Sequence, residues 1–542
     1  MNSILGLIST GPKIVFPSIS YKAIGPEIIL IVGALVIMLI SSLAPSLKRT
    51  KAIGAMAFAV TAIALIDSIV LWSNFVSHGA SRAIASSIVL DGFAIFLMIT
   101  ISSAALLSVL AGEAYLSRSR IGRVEYHCLL LLSSAGAILL ASAGDLIVVF
   151  LGLEILSIAL YVMAAFEKRN QLSGEAGLKY FILGGFSSAI FLYGIALTYG
   201  ATGTTNIQKI ASFLATNTVT SNGVLLAGIA LLIVGLGFKV AAVPFHLWTP
   251  DVYQGAPAAA SGYMAAVAKA AGFAGLLRIL ITAFPTQRLD WQPIIWGLAA
   301  LTLVVGAILA IVQSDIKRML AYSSINHAGF VLLGVAAGTA GGVSGSLYYL
   351  IAYTFMVIGT FAIVNVFEDS DTGVVPIERL RGLARTNPAL ALFMAVLLVA
   401  QAGAPLTTGL LAKFSVIAAT VKAHSYILAV IAMLSAVIAT FFYLRVVAVM
   451  YSKVPQDKVS ESPIDDEEVL VFASGGDGDL GSFDRPEGDL AVLAPAKVAV
   501  ARSLRISTEA KIVVGISILF TVGFGIFPNP LVHMADLAKL LF

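Results

Sequence analysis

Lys239 stands inside an almost wholly apolar run, in the stretch GLGFKVAAVPFHLWTPDVYQGAP at residues 235–257, with Pro244 five residues on and His246 two further. Glu154, Lys179, Lys269, Lys413 and His327 read as the other ionisable residues within such runs. If the runs lie in a membrane, each lysine or acid at a helix centre costs about 2.5 to 3.5 kcal/mol, so five together cost on the order of 10 to 17 kcal/mol unpaired. That rivals the net stability of a whole domain. Pairing of Glu154 with one lysine, and snorkelling of Lys179 near a helix start, would relieve part of it. One acid does not neutralise four lysines, however, and a desolvated lysine without a counter-charge is able to lose and regain a proton. The chemistry these residues point to is proton exchange.

Pro244 cannot donate a helical hydrogen bond and clashes with the carbonyl four residues back, so free backbone oxygens and a hydrated pocket are expected just past Lys239. His246 lies roughly 10 Å further along if the chain stays helical, a distance that a few waters cover, and histidine can accept on one ring nitrogen while donating from the other. Residues 403–414, GAPLTTGLLAKF, repeat the device in another order, with Pro405, Thr407 and Thr408 at the break and Lys413 beyond. Broken helices at corresponding places in two halves of a chain point to a transport site.

The elements that must position these residues are membrane helices. Over 542 residues, 59% are hydrophobic and only 11% charged, against roughly 25% charged in soluble domains. About fourteen apolar runs are long enough to cross a hydrocarbon core of roughly 30 Å. They lie near 24–45, 52–74, 88–112, 127–143, 145–165, 176–200, 223–253, 256–283, 294–312, 319–338, 344–366, 389–421, 424–450 and 511–528. The fold class is thus an all-α polytopic membrane protein, since strands of a barrel would alternate every second residue. The seventh and twelfth runs are too long for plain spans and carry breaks at Ala241 to Pro244 and Gly403 to Gly409. Such irregular backbone is tolerated at membrane depth only against protein or a wet cavity. Spans 4–8 and 9–13 are five helices each, and an odd repeat length makes an inverted pair plausible. Basic residues (Lys48, Arg49, Lys51; Arg118, Arg120, Arg123; Lys168, Arg169; Lys317, Arg318; Arg379, Arg381, Arg385) follow odd-numbered spans, which places both termini away from the cytoplasm. The net charge of +4 is largely this loop bias and needs no nucleic-acid partner.

The first twenty residues lack a basic n-region and a small-residue cleavage site, so a removed signal peptide is not expected. The single cysteine, Cys128, excludes an internal disulfide and an iron–sulfur cluster held by this chain alone, and reads as a small core residue. Residues 455–510 form an acidic, then Gly/Ser/Pro-rich, then basic loop. Its Gly476, Gly478 and Gly481 match a dinucleotide fingerprint only in spacing. No strand precedes them, no helix follows, and two aspartates inside the loop would repel a pyrophosphate. A solvated insertion is the better reading.

Four stretches carry a resemblance: GLKYFILGGFSSAIFLYG at 177–194, FKVAAVPFHLWTPDVYQGAPA at 238–258, AAVAKAAGF at 265–273 and DIKRMLAYSSINHAGF at 315–330. They resemble the antiporter-like membrane subunits of respiratory complex I, the proton-pumping NADH–quinone oxidoreductase, and among these subunit N. The resemblance covers roughly spans 4 to 13. It implies two inverted five-helix units at 127–283 and 294–450, preceded by a three-helix segment at 1–126 and followed by the 455–510 insertion and a C-terminal helix within 511–542. It further implies that Glu154, Lys239, Lys269 and Lys413 match the family's titratable positions, with Lys179, His246 and His327 in the same motifs as a proton relay. Electron transfer from NADH to quinone, FMN and iron–sulfur clusters would belong to other subunits, and the chain itself would hold no cofactor or metal. Its partners would be other membrane subunits and the lipid bilayer, in the bacterial inner (plasma) membrane. GAPLTTGLLAKF departs from the family's twelfth-helix motif, and the 455–510 insertion is unusual for the family.

The alternative reading is a subunit of a related multi-subunit cation/proton antiporter. A passive scaffold is hard to reconcile with intramembrane lysines, and six histidines with none paired on one helix face speak against a haem enzyme. The 455–510 loop has too little apolar content to pack at membrane depth. Its replacement by a short linker is expected to leave proton translocation by the assembled protein intact, as measured with a pH-sensitive dye in membrane vesicles; full assembly with complete loss of translocation would contradict this.

Overall fold

The computed structural model describes residues 20–119, 122–217, 222–368, 372–453 and 506–540. The 455–510 insertion and the N-terminal stretch considered for a signal peptide therefore lie almost wholly outside the described residues. Among the described residues, 13 helices are long and apolar enough to cross a membrane. Spans 1 to 6 are Gly25–Leu43, Ala52–His78, Gly92–Ser119, Arg123–Ala141, Leu146–Ala164 and Gln171–Thr202. Span 7 is Asn222–Val240 followed, after a break, by the short helix Trp248–Gly255. Spans 8 to 11 are Ala258–Ala283, Arg288–Ile311, Ile316–Ala337 and Ala340–Phe367. Span 12 consists of two 15-residue halves, Pro388–Ala402 and Thr408–Lys422. Spans 13 and 14 are Tyr426–Tyr451 and Thr508–Ile526. The chain is a multi-pass integral membrane protein. Span 9 starts earlier than its apolar run, at Arg288, with Pro293 inside the helix.

Every residue of span 8 is buried, and spans 10 and 11 are almost wholly buried. In lipid there is no hydrophobic difference between a buried and an outer helix, so close approach depends on small side chains, and span 8 is rich in alanine and glycine. Spans 4 and 5 cross backbone to backbone: a Cβ on Gly136 would lie 2.6 Å from the Leu156 amide nitrogen. Spans 9 and 10 cross the same way, a Cβ on Gly306 falling 2.6 Å from the Asn326 nitrogen.

The starts of spans 5 and 10 share a second device. Asp145 caps span 5 by accepting from the Ile147 N–H at 2.9 Å, and Asp315 caps span 10 by accepting from the Arg318 N–H at 2.9 Å. Each aspartate also forms an isolated antiparallel bridge to the chain that emerges from the next span, Asp145 with Asn206 and Asp315 with Pro376. The chain separation is the same in both cases.

Both breaks are closed helix ends. In span 7 the Ala242 N–H donates to the Gly237 carbonyl (2.8 Å) and the Ala241 N–H to Phe238 (3.0 Å). In span 12 the Ala404 N–H donates to Val399 (3.1 Å) and the Gly403 N–H to Ala400 (2.9 Å). These are the paired bonds of a Schellman cap, whose hinge residue needs a left-handed backbone. Gly403 supplies it at φ 100, and Ala241 adopts it at φ 60 despite its Cβ. The break expected at Ala241 to Pro244 is found there: the helix ends at Val240, with Ala241 as the hinge of the cap and Pro244 in the link beyond it.

A two-stranded exception to the all-α reading is a hairpin, Ser81–Ala83 with Ile88–Leu90, between spans 2 and 3. It is tied to the loop after span 6 by Asn206 Nδ2 donating to the Ser86 carbonyl at 3.3 Å. The set of intramembrane ionisable residues is also larger than the sequence reading has it. Arg278 in span 8 donates to both oxygens of Asp91 (2.7 and 3.0 Å) and to the Ala141 carbonyl (3.1 Å), all buried. Glu113 in span 3 meets Arg123 and His127, while Glu27 and Asp67 add acids in spans 1 and 2. Lys317, counted above as a loop charge, is fully buried and ion-paired with Glu368 at 2.6 Å.

The glycine crossings give a direct test. Gly136→Ala forces spans 4 and 5 apart and is expected to destabilise the protein by about 1 to 3 kcal/mol, whereas Gly185→Ala, with nothing within 4 Å of the new methyl group, is expected to be neutral. Thermal loss of the folded protein in detergent, followed by size-exclusion fluorescence, measures both; equal midpoints would contradict the close crossing.

Candidate functional site

Lys239, the penultimate residue of the first half of span 7, is 3% exposed. Its Nζ donates to Ser157 Oγ at 2.8 Å and to the Tyr180 hydroxyl at 3.3 Å. It also lies 5.3 Å from the Tyr180 ring centre and 5.9 Å from that of Tyr161, an arrangement in which ring faces favour a cation. Trp248 stacks flat on Tyr180, with ring centres 4.4 Å apart and planes 7° from parallel, and its Nε1 donates to the Phe238 carbonyl. The pairing of Glu154 with a lysine considered above is not made as a salt bridge among the described residues. Glu154 lies one turn before Ser157 on span 5, so the serine hydroxyl occupies the near position on that face. Glu154 is half-buried and its Oε1 is buried without a partner.

His246 is 7% exposed and sits in the link after the break, with Nδ1 lacking a partner. Within the described residues no protein hydrogen bond connects it to Lys239. Lys179 is the least buried of the set. It bonds Glu175 at 2.5 Å and Asp251 at 2.8 Å, with its side chain 41% exposed. It belongs to a polar network at the end of the short helix and not to the Lys239 site.

The free carbonyl at each break has a lysine. A Schellman cap satisfies earlier carbonyls but leaves that of the last helical residue open. Lys269, midway along span 8, donates to the Val240 carbonyl at 3.5 Å and, by a short bond, to that of Ser324 in span 10. Lys413 donates to the Ala402 carbonyl at 2.7 Å and lies 4.9 Å from the Phe330 ring centre. The carbonyl expected to face Lys239 therefore faces Lys269, because the helix ends with its last carbonyl directed along the axis, past Lys239 itself.

His327 lies between the two. Its Nδ1 is 2.6 Å from the Tyr349 hydroxyl and its Nε2 is 3.0 Å from that of Tyr443. A hydroxyl can donate or accept, so either tautomer of the ring is satisfied. Tyr443 also contacts Ser323 and donates to Gln401 Oε1 at 3.4 Å. Ser323 neighbours the Ser324 carbonyl that holds Lys269, and Gln401 neighbours the Ala402 carbonyl that holds Lys413. The structure thus links Lys269, His327 and Lys413 through contiguous hydroxyls and carbonyls, sets Lys239 next in the chain to the Val240 carbonyl that meets Lys269, and leaves Lys179 outside this axis. Sequence reasoning missed Ser157, Tyr180, Ser323, Tyr349, Gln401 and Tyr443. Neutral hydroxyls raise no alarm in an apolar run, although Tyr180 and Ser323 both fall within the quoted motifs.

The axis lysines share one electrostatic trait: each donates to hydroxyls or carbonyls and none to a carboxylate. A carboxylate partner would hold the ammonium charged, whereas neutral partners tolerate either charge state. Lys317 and Arg278 show the opposite arrangement, each fully buried against an acid. Among the described residues no three His, Cys, Asp or Glu side chains converge as a metal-ligand set.

These features define a helical membrane protein with a buried lysine, tyrosine and histidine axis running between two broken spans. The family model described as NADH:quinone oxidoreductase/Mrp antiporter, TM, matches residues 143–439, and the chain belongs to that family. NADH-quinone oxidoreductase subunit N of Trichlorobacter lovleyi is 43% identical over 442 residues, covering 81% of this chain and 89% of that relative. The subunit N of a Parafrankia species is 39% identical over 515 residues, covering 89% and 96%. Among solved structures, a chain of respiratory complex I from Thermus thermophilus with bound Aureothin superposes with TM-score 0.73 at 28% identity, over 95% of this chain and all of that one. A chain of the Mrp complex from a Dietzia species, at 20% identity, shares the fold with TM-score 0.78 over 95% and 96%.

The contrast between neutral and acidic partners is testable. Lys317→Met strands the Glu368 carboxylate and is expected to cost about 3 to 5 kcal/mol, visible as loss of folded protein. Lys239→Met removes hydrogen bonds from hydroxyls and is expected to cost about 1 to 3 kcal/mol, leaving most of it folded. Equal yields of the two variants in a detergent extract would overturn the distinction.

Proposed function

We propose that this chain is a proton-translocating membrane subunit of an NADH–quinone oxidoreductase in the bacterial inner membrane. Electron transfer from NADH to quinone takes place in other subunits, which carry FMN and iron–sulfur clusters, and drives proton movement here. The chain holds no redox centre of its own and works beside other membrane subunits of the complex. Two five-helix units, 127–283 and 294–450, each contribute a broken span. Protons pass by Glu154, Lys239 and Lys269 to His327 and Lys413, with waters bridging the gaps that side chains do not span.

The observation that carries this reading is the set of three buried lysines held only by hydroxyls and carbonyls. For a scaffold such residues are all cost, since well-packed apolar side chains would serve better. For a proton carrier they are the required part, because the site stays hydrogen-bonded whether the amine is charged or neutral. The subunit N relatives support the redox-driven pump over the cation/proton antiporter, whose likeness rests on fold.

Lys413 tests the reading most directly. Arginine is not deprotonated in proteins, so Lys413→Arg keeps a charge at the Ala402 carbonyl but removes the exchangeable proton. Both Lys413→Arg and Lys413→Ala are expected to lower proton pumping by the assembled complex severalfold, while Lys413→Glu, still titratable, retains part of it. Pumping is read in inverted membrane vesicles during NADH oxidation. Parental pumping by Lys413→Arg would reduce Lys413 to a constant charge and sink its role as a carrier.

A further inference from the structure

Asp251 lies outside the proton axis, yet it stands where the two units meet. It belongs to the short helix Trp248–Gly255, and its two oxygens divide between them: Oδ2 accepts from Lys179 of span 6 at 2.8 Å, and Oδ1 from Arg318 of span 10 at 2.7 Å. Arg318 also donates to Gln254 at 3.0 Å, one turn along the same short helix. The residue before it, Lys317, holds the Ala256 carbonyl at 2.7 Å and Glu368 at 2.6 Å, and Glu368 accepts from the Ala258 N–H. The start of span 10 therefore grips the short helix and the turn after it at several points.

The other end of the short helix reaches the proton axis. Trp248, its first residue, lies flat on Tyr180 and donates to the Phe238 carbonyl, next to Lys239. The Tyr180 hydroxyl is a hydrogen-bond acceptor of Lys239. When Lys239 loses its proton its two hydrogen bonds can persist, but the attraction between its charge and the Tyr180 ring face, 5.3 Å away, is lost, and the ring is released to shift. A flat ring stack transmits such a shift, because the two planes cannot tilt independently without losing contact.

Resting on the proposed function, we infer that Asp251 is a positioning residue that ties the protonation of Lys239 in the first unit to the placement of span 10 in the second. Span 10 carries Ser323, Ser324 and His327, the groups that connect Lys269 to Lys413. Movement of the short helix pulls on Arg318 and so displaces these partners together. The chain of contacts is contiguous and runs through an eight-residue helix that non-helical links separate from the spans on either side. Asp251 and Arg318 are about a third exposed, at 33% and 32%, and ion pairs so exposed add little to stability. Their removal therefore probes coupling and not folding.

The test is Asp251→Asn in the complete complex, with NADH oxidation and pumped protons measured in the same vesicles. Turnover is expected to stay within twofold of the parent, while protons pumped per electron fall to the level of Lys413→Arg. Asp251→Glu, which keeps the charge, is expected to restore the ratio. Should Asp251→Asn fail to assemble, Arg318→Gln breaks only the link to the second unit and is expected to lower the same ratio. A parental ratio in Asp251→Asn, or in Arg318→Gln, alongside a lowered one in Lys239→Ala and Lys413→Arg, overturns the coupling role and leaves the proposed function standing. Parental ratios in all of them overturn the proposed function itself.

Discussion

A helix that stops inside hydrocarbon leaves carbonyls that bulk water does not reach, and the rest of this structure is arranged around two such ends. Both broken spans close with a Schellman cap, and in both the last open carbonyl is met by a lysine from elsewhere: Val240 by Lys269 and Ala402 by Lys413. The negative end of each half-helix thus faces a positive group, which is favourable for the charged amine. A carbonyl is also a neutral acceptor, so an amine that has lost its proton still has a hydrogen to give it. The break therefore serves both as the means of bending the chain and as the partner that keeps a buried lysine soluble in either state.

Much of this arrangement is legible in the sequence, and the part that is not has a physical reason. Long apolar runs set the spans, and the run lengths at 223–253 and 389–421 announce the breaks, because a single helix of that length overshoots the bilayer. The place of the first break is legible from Pro244, which cannot continue a helix, but the cap geometry is not: Ala241 takes the left-handed conformation, and nothing in its type marks it for that role. Lysines inside apolar runs are conspicuous, so Lys239, Lys269 and Lys413 stand out. Their partners do not, since Ser157, Tyr180 and Tyr443 are ordinary membrane-helix residues until another element is brought against them. The partner choice itself is a tertiary outcome, as shown by Lys239 meeting Ser157 in place of the nearby Glu154.

Two kinds of buried cation coexist, and their partners separate their tasks. Arg278 with Asp91 joins span 8 to the start of span 3, and Lys317 with Glu368 joins span 10 to the end of span 11. Each is close to a span end and salt-bridged, which suits a permanent charge whose release would be strongly unfavourable. Lys269 and His327 lie near the middle of their spans with neutral partners only. Salt bridges at the margins and neutral partners in the middle would, under the proposed function, keep the frame rigid where it must not respond to protons and responsive where it must.

The matched caps of spans 5 and 10 allow these two spans to be compared position by position. Counted from Asp145 and Asp315, Glu154 falls where Ser324 does, and Ser157 where His327 does. In the first unit these places hold an acid and the hydroxyl that binds Lys239; in the second they hold the carbonyl that binds Lys269 and a histidine between two tyrosines. One scaffold therefore presents different groups at equivalent points, an unpaired carboxyl at one end and a two-faced imidazole at the other. A carboxyl interacts with a neighbouring lysine through its charge, whereas an imidazole between hydroxyls exchanges a proton on either side. Under the proposed function, this asymmetry would give the axis a direction, with charge coupling at Lys239 and proton hand-over at His327 on the way to Lys413.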